Sequence, residues 1–103
     1  MPPAEFSWSE VLSRRLTRHG LAEPVPAEQL AQQVGVICGA HAQVITAAEL
    51  SIGLRVAGIT RAAVQQALWT DHSLIKTFGP RGTVHLFPAG ELALWMAGFA
   101  ARP

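Results

Sequence analysis

The chain has 103 residues, which is enough for one domain and too few for two. Half of the residues are hydrophobic, so a core can form, while only 15% are charged and the net charge is +1. This balance excludes a basic arm that is held on DNA by bulk charge alone. The apolar runs fall far short of the ~18 residues that cross a membrane, so we expect no membrane partner.

The cysteine and histidine content limits the chemistry further. Cys38 is the single cysteine, which excludes an internal disulfide framework and indicates a reducing compartment. The opening MPPAEFSWSE lacks the basic and apolar regions of a signal peptide. No C-x-x-C or H-E-x-x-H spacing is present. We therefore predict a cytoplasmic protein with no metal site and no cofactor, in which Cys38 is a small buried residue of the second helix.

The first predicted helix spans about residues 8–19 and follows a disordered terminus of residues 1–6. Ser7 and Glu10 have the spacing of a capping box, and Gly20 is a suitable end. The apolar stripe of this helix consists of Trp8, Leu12 and Leu16.

Three more helices are predicted before residue 71. The second, about 27–38, begins after the linker Pro24-Val25-Pro26, and Gly39 is its expected end. The third, about 43–57, is apolar nearly all round, which is typical of a central, buried helix. The fourth, about 61–70, is capped by Thr60 and completes a helix-turn-helix pattern with the third.

From Ser73 the hydrophobic period changes to two, which predicts a hairpin over 74–87. Pro88 is expected to lie outside the second strand, because proline cannot continue a central strand, and to lead into a final helix over 89–100. The apolar stripe of that helix packs either back on the domain or against something else. Four aromatic residues are predicted to pack the core: Trp8, Trp69, Trp95 and Phe99.

The order of helices, hairpin and helix predicts a mainly α fold with a β-hairpin, a winged helix-turn-helix domain over residues 7–103. Three segments carry a resemblance to a known family: LSRRLTRHGL, then CGAHAQVITAAELSIGLRVAGIT running into VQQALW, then RGTVHLFPAGELALW. Together they resemble the start of the winged-helix DNA-binding family that includes bacterial interstrand-crosslink DNA glycosylases. The resemblance implies tandem winged helices followed by a β-barrel region, of which this chain is the first module and an N-terminal fragment.

The resemblance also implies a functional motif of glutamine, an apolar residue, and glutamine or aspartate, which falls on His41, Ala42 and Gln43. Gln43 matches, whereas His41 replaces the usual glutamine. Histidine variants are compatible with the family, and imidazole accepts or donates a proton near neutral pH. His41 and Gln43 are therefore the candidate catalytic residues.

The spacing of this pair sets a geometric condition. On a helix, His41 and Gln43 would point about 200° apart. In an extended segment they share one side, with Ala42 on the other. A shared site therefore requires them at or before the start of the third helix. The alternative is that His41 caps this helix and Gln43 is a solvated residue of its first turn.

The reaction implied by the resemblance is hydrolysis of the N-glycosidic bond of an alkylated purine. Because a cationic alkylated base is already a good leaving group, a polar pair that holds one water suffices, through orientation and electrostatics. Members of the family are several times longer, so the 103-residue chain alone is predicted to be inactive.

The candidate DNA contacts lie on the fourth helix and the hairpin. Arg61, Gln65 and Gln66 are expected to face outward on the recognition helix, where they read bases or form an ordinary solvated face. Arg81, at the hairpin tip, is expected to contact a phosphate or to serve only the turn.

Arginines of the first helix and one histidine complete the candidate contacts. Arg14 and Arg18, with Arg15 beside them, contact phosphates or solubilise the helix. His85 alternates with Val84 and Leu86, so it lies opposite the hydrophobic face of the wing. There it contacts DNA or another module, or is a hydrogen-bonded structural histidine.

Three functions remain open from the sequence. The first is a module of a crosslink-repair glycosylase-like protein, whose partner is duplex DNA, alkylated or crosslinked. The second is a non-catalytic DNA-binding or regulatory protein on the same fold. The third is a dimerisation module, which the low charge and the apolar final helix favour. Further modules of the same chain, or a partner, are expected over that helix.

Overall fold

The computed structural model describes residues 5–79 and 82–100, with side chains as far as residue 98. The α-helices are α1 (Trp8–Arg18), α2 (Leu30–Val36), α3 (Ile45–Arg55), α4 (Arg61–Trp69) and α5 (Leu92–Ala100). The strands are β1 (Ala40–His41), β2 (Leu74–Phe78) and β3 (Val84–Pro88). Single 3-10 turns, Ala27–Gln29 and Ala89–Glu91, lead into α2 and α5. This is the predicted winged-helix order, with α3 and α4 as the helix pair and β2–β3 as the wing.

The described strands form one antiparallel sheet in the order β1-β3-β2. β1 was not predicted, because two residues show no hydrophobic period. It pairs with the central strand in the register Ala40 to Leu86 and His41 to His85. On the other side of β3, Thr77 of β2 pairs with His85. The sheet therefore brings His41 beside a residue that is distant in sequence.

Pro88 belongs to β3 and pairs with Leu74, although we predicted that it would lie outside the strand. The Ala42 N–H donates to the Val84 carbonyl on the β1 side, and the Ala89 N–H donates to the Ser73 carbonyl on the β2 side. Since amide direction alternates along a strand, Pro88 faces the β1 side, beyond the end of that short strand. Its missing N–H therefore removes no ladder bond.

The core lies between α2, α3, α4 and one face of the sheet. Its buried cluster is Leu30, Val34, Ala40, Ala42, Ala48, Ile52, Val56, Val64, Ala67, Leu68, Leu74 and Leu86. The prediction that α3 is central and buried is correct for the side with Ala48 and Ile52 and wrong for the other, where Leu50 and Leu54 are 66% and 55% exposed. α3 is therefore central but keeps one side in solvent.

Two of the predicted core aromatic residues are exposed. Trp8 is 78% exposed and Trp69 62% exposed, so that prediction is wrong for both. Trp95 is half-buried against Phe87, with 5.1 Å between ring centroids, and the Phe99 side chain lies outside the described residues. In α1, every residue is exposed except the half-buried Val11, so the apolar stripe of that helix faces solvent. The pattern identified an apolar face but not what covers it.

Helix ends follow the sequence signals in part. The Ser7 side chain accepts a hydrogen bond from the Glu10 N–H at 3.1 Å, as the capping pattern indicates. Gly20 has a φ of 73° directly after α1, where a Cβ would lie 2.8 Å from the Arg55 carbonyl oxygen. At the end of α2, however, Cys38 itself takes a φ of 63° and is exposed, so its predicted burial within the helix is wrong.

The segments before the helices differ from the predicted bounds. α2 begins three residues later than predicted, after a 3-10 turn, and α3 spans Ile45–Arg55 rather than 43–57. The linker is pinned by a parallel bridge between Val25 and Val56. Of the terminus predicted to be disordered, residues 1–4 lie outside the described residues, and Glu5 and Phe6 are exposed.

Candidate functional site

His41 and Gln43 both precede α3. His41 is in β1, and the first helical residue is Ile45, with Val44 as the N-cap. Ala42, between the pair, is 1% exposed, and its N–H donates to the Val84 carbonyl at 2.8 Å. Because the intervening side chain points into the core, both flanking side chains are directed to solvent and both are exposed.

The geometric condition for a shared site is therefore met. The alternative arrangement, in which His41 caps α3 and Gln43 is in its first turn, is wrong, because the N-cap is Val44. An exposed imidazole and an exposed primary amide are thus separated along the chain by one buried residue. Each of these groups can both donate and accept hydrogen bonds, as a site that holds one water requires.

His85 is the cross-strand neighbour of His41. The two ring centroids are 5.0 Å apart and the ring planes are tilted by 51°. His85 lies on the sheet face opposite Leu86, as the alternation predicts, and it is half-buried. Sequence analysis did not place it beside His41, because the register between β1 and β3 has no local signal.

The His85 ring is fixed on several sides. Nδ1 lies 3.0 Å from the Thr83 carbonyl oxygen, and since a carbonyl only accepts, Nδ1 is the donor. The ring also stacks on Phe87, with 5.9 Å between centroids and planes 27° apart. At Gly79, a Cβ would lie 2.9 Å from Nδ1, so the glycine makes room for the ring.

The packing continues from His85 to α5. Phe87 is fully buried, and a Cβ on Gly39 would lie 2.7 Å from its Cε1 atom. Trp95 packs on Phe87, and its Nε1 donates to the Glu91 carboxylate at 3.1 Å. The segment before β1, the wing and α5 therefore converge on one buried ring behind the two histidines.

On α4, which we predicted to be the recognition helix, the residues expected to face outward do not behave alike. Arg61 Nε pairs with the Glu49 carboxylate of α3 at 3.3 Å, and the side chains are 75% and 2% exposed. Gln65 donates to the other oxygen of Glu49 at 3.2 Å and accepts from Trp69 Nε1 at 2.9 Å. Gln65 is half-buried with both ends of its amide engaged, so the prediction that it faces outward is wrong. Gln66 is exposed as expected.

The arginines predicted on α1 lie together on its surface. Arg14 and Arg18 are exposed, and together with Arg15 they line an open groove of about 490 Å³ along this helix. The Arg14 guanidinium lies 5.6 Å from the Phe6 ring centroid. Arg81 lies outside the described residues.

Two features are absent within residues 5–79 and 82–100. No group of three His, Cys, Asp or Glu side chains is arranged to hold a metal ion. No helix in this part of the chain has the length and apolar character needed to cross a membrane.

Comparison with known proteins relates this geometry to a family. The sequence profile described as DNA glycosylase AlkZ-like matches residues 34–103, a range that includes His41, Gln43 and His85. An interstrand DNA cross-link repair glycosylase from Streptomyces sahachiroi is 37% identical over 91 residues, which are 88% of this chain and 24% of that protein. The solved structure of Streptomyces sahachiroi DNA glycosylase AlkZ matches with a TM-score of 0.80 and 34% identity, over 95% of this chain and 27% of that one.

These matches identify the fold class, the family and the share of the relatives' length that this chain covers. The structural match confirms the predicted winged-helix fold class. The chain spans about a quarter of the length of these relatives. The profile match covers well over half of the chain, and it confirms the resemblance drawn from the sequence. The chain belongs to the AlkZ-like DNA glycosylase family.

Proposed function

We propose that this chain is a DNA-binding module of a crosslink-repair DNA glycosylase, which in its full-length context releases alkylated purines by water-mediated hydrolysis of the N-glycosidic bond. The carrying observation is the solvent-directed pair His41 and Gln43, held ahead of α3 by the buried Ala42. Family membership supports the reaction class, as does the similarity to a relative described as an interstrand DNA cross-link repair glycosylase.

The chemistry required of the pair is modest. A cationic alkylated purine departs with its bonding electrons, and the sugar becomes oxocarbenium-like. Gln43 can accept a hydrogen bond from the attacking water and donate one to it, while His41 accepts the proton that the water releases. Their contribution is orientation and electrostatic stabilisation of the transition state, and removal of one such group is expected to lower the rate about 10²–10³-fold.

Duplex binding is assigned to the exposed basic and polar residues. Arg61 and Gln66 on α4, and Arg14 and Arg18 on α1, present donors to solvent and contact phosphates or bases. Arg81 stays a proposed phosphate contact at the wing tip. Gln65 is left out of the base-reading set, because its amide is engaged with Glu49 and Trp69.

The test measures base release from alkylated duplex DNA by the intact gene product, with wild type and Gln43→Ala in parallel. We expect abasic sites with the wild type, and a rate at least about 100-fold lower for the variant with unchanged duplex affinity. Gln32→Ala is the matched control, an exposed glutamine of α2 that is assigned neither to the pair nor to duplex binding, and it should keep the rate of base release. Equal rates for wild type and Gln43→Ala would refute the assignment of the site. No release from any alkylated or crosslinked duplex, with binding intact, would favour the non-catalytic DNA-binding function.

The 103-residue chain alone is expected to be inactive, since it spans about a quarter of the length of its relatives. A dimerisation module is the second candidate function, favoured by the exposed apolar residues Trp8, Leu12 and Leu16 of α1. The dependence on salt concentration distinguishes DNA binding from dimerisation, because DNA binding through arginines weakens steeply with salt, whereas apolar association does not.

A further inference from the structure

We propose that His85 is a positioning residue for His41, and that it acts through its ring rather than through proton transfer. This inference rests on the proposed function and deepens it, because it adds a third residue, from the wing, to the pair in front of α3. The observation behind it is the ring contact across the β1–β3 ladder, with centroids 5.0 Å apart.

His41 needs such a contact because its own strand does little to hold it. β1 has two residues and lies at the edge of the sheet, and the His41 side chain is exposed. An exposed side chain on an edge strand samples several rotamers, and a misplacement of about 1 Å at a reacting centre lowers a rate by roughly 100-fold. A neighbouring ring removes some of those rotamers.

His85 is suited to this role because it is itself held in place. Thr83 accepts the Nδ1 hydrogen at 3.0 Å, Phe87 stacks on the ring, and Gly79 leaves the space that the ring occupies. Phe87 is fully buried and packs on Trp95, which ties the arrangement to α5. His85 therefore presents a fixed ring to the exposed His41 side chain at the edge of the sheet.

The role predicts a specific ranking of substitutions at position 85. His85→Ala removes the ring, and His85→Asn keeps a donor for the Thr83 carbonyl but no ring. His85→Phe keeps a ring and no titratable nitrogen. If the ring positions His41, His85→Phe should retain most of the wild-type kcat, whereas the alanine and asparagine variants should lose about 10- to 100-fold in kcat. KM and duplex affinity should be unchanged in all three variants.

The experiment uses the intact gene product and two readouts. The first is kcat and KM for base release from alkylated duplex DNA. The second is the NMR signals of the His41 ring in histidine-labelled protein, which report its environment whether or not the protein is active. Thr77→Val is the matched control, since Thr77 pairs with His85 from the side of β3 away from His41. It should change neither the rate nor the His41 signals.

Each outcome has one meaning. Loss of kcat in the alanine and asparagine variants with rescue by phenylalanine, together with shifted His41 signals for His85→Ala, supports the positioning role. An equal loss of kcat in all three variants would overturn the positioning role and favour a direct role for the imidazole nitrogens. A raised KM or a weakened duplex affinity would overturn it and favour a contact between His85 and DNA. Unchanged His41 signals in His85→Ala would overturn it irrespective of activity. If the wild type released no base while the His41 signals still differed between wild type and His85→Ala, the proposed function would be refuted and the ring contact would remain supported.

Discussion

Arg61 is three-quarters exposed, yet its replacement by alanine is expected to destabilise the domain more than an ordinary surface substitution does. The reason is its partner. Glu49 is buried in α3 with 2% of its side chain exposed, and it accepts hydrogen bonds from Arg61 and Gln65 of α4. Removal of Arg61 leaves a buried carboxylate with the neutral Gln65 as its described donor.

The magnitude follows from two contributions. The ion pair itself is exposed on the arginine side and is joined by one contact at 3.3 Å, so it contributes at most about 1 kcal/mol. Without Arg61, the buried Glu49 carboxylate lacks one hydrogen-bond donor, which costs about 1–3 kcal/mol of stability. The cost lies near the lower end of this range because the hydrogen bond from Gln65 remains. We expect Arg61→Ala to lower the free energy of unfolding by about 1–2 kcal/mol.

The assay is urea unfolding of the chain followed by circular dichroism. In the double variant Glu49→Gln/Arg61→Ala, the neutral amide needs no compensating charge, so we expect it to regain about 1 kcal/mol relative to Arg61→Ala. Gln66→Ala, exposed on the same helix, is the control and should stay within about 0.5 kcal/mol of wild type. The reasoning is refuted if Arg61→Ala matches this control, or if the double variant is less stable than Arg61→Ala. Duplex binding by Arg61→Ala has to be read against this stability change.

Two further predictions concern the packing behind the site and the binding of DNA. Gly39 has a φ of 99°, and a Cβ there would lie 2.7 Å from Phe87 Cε1, so we expect Gly39→Ala to lower the free energy of unfolding by about 2–4 kcal/mol. Gly53 in α3 has open space around it, so Gly53→Ala should raise the free energy of unfolding by up to about 1 kcal/mol. Thermal unfolding of both variants checks this pair, and equal melting temperatures would contradict it. For DNA, Arg14→Gln/Arg18→Gln should reduce the slope of log affinity against log salt by about 1.8, measured by fluorescence anisotropy with the intact gene product. An unchanged slope would remove the α1 groove from the proposed interface.

The elements with local signals could be predicted from the sequence. Ser7 and Thr60 cap their helices as their positions indicate, each accepting a hydrogen bond from a backbone N–H three residues on. The alternating residues of the wing form β2 and β3, and His85 lies on the face opposite Leu86 as expected. A cap or an alternation acts within a few residues, so its physical cause is present in the segment itself.

The side-chain hydrogen bonds between α4 and Glu49 of α3 could not be predicted from such local signals. Helical spacing puts Gln65 on an outer face, but the side chain is long enough to turn back to Glu49. The signal available was the isolated acid Glu49 in the mainly apolar helix α3, since a buried carboxylate requires donors from a neighbouring element. The sequence contains that acid and the donors, but not the packing of α3 on α4 that joins them.

The candidate site also combines features that local sequence predicts with one that it does not. The motif placed His41 and Gln43, and the buried Ala42 between them is a local feature that spacing alone could anticipate. The contact of His41 with His85 joins residues 44 positions apart, through a two-residue strand whose register is set by tertiary packing. That packing depends on Gly39, whose missing side chain lets the chain approach Phe87 directly before β1 begins. His41 is thus the residue of the pair that has a second ring beside it, and a glutamine at position 41 would present no ring to that of His85.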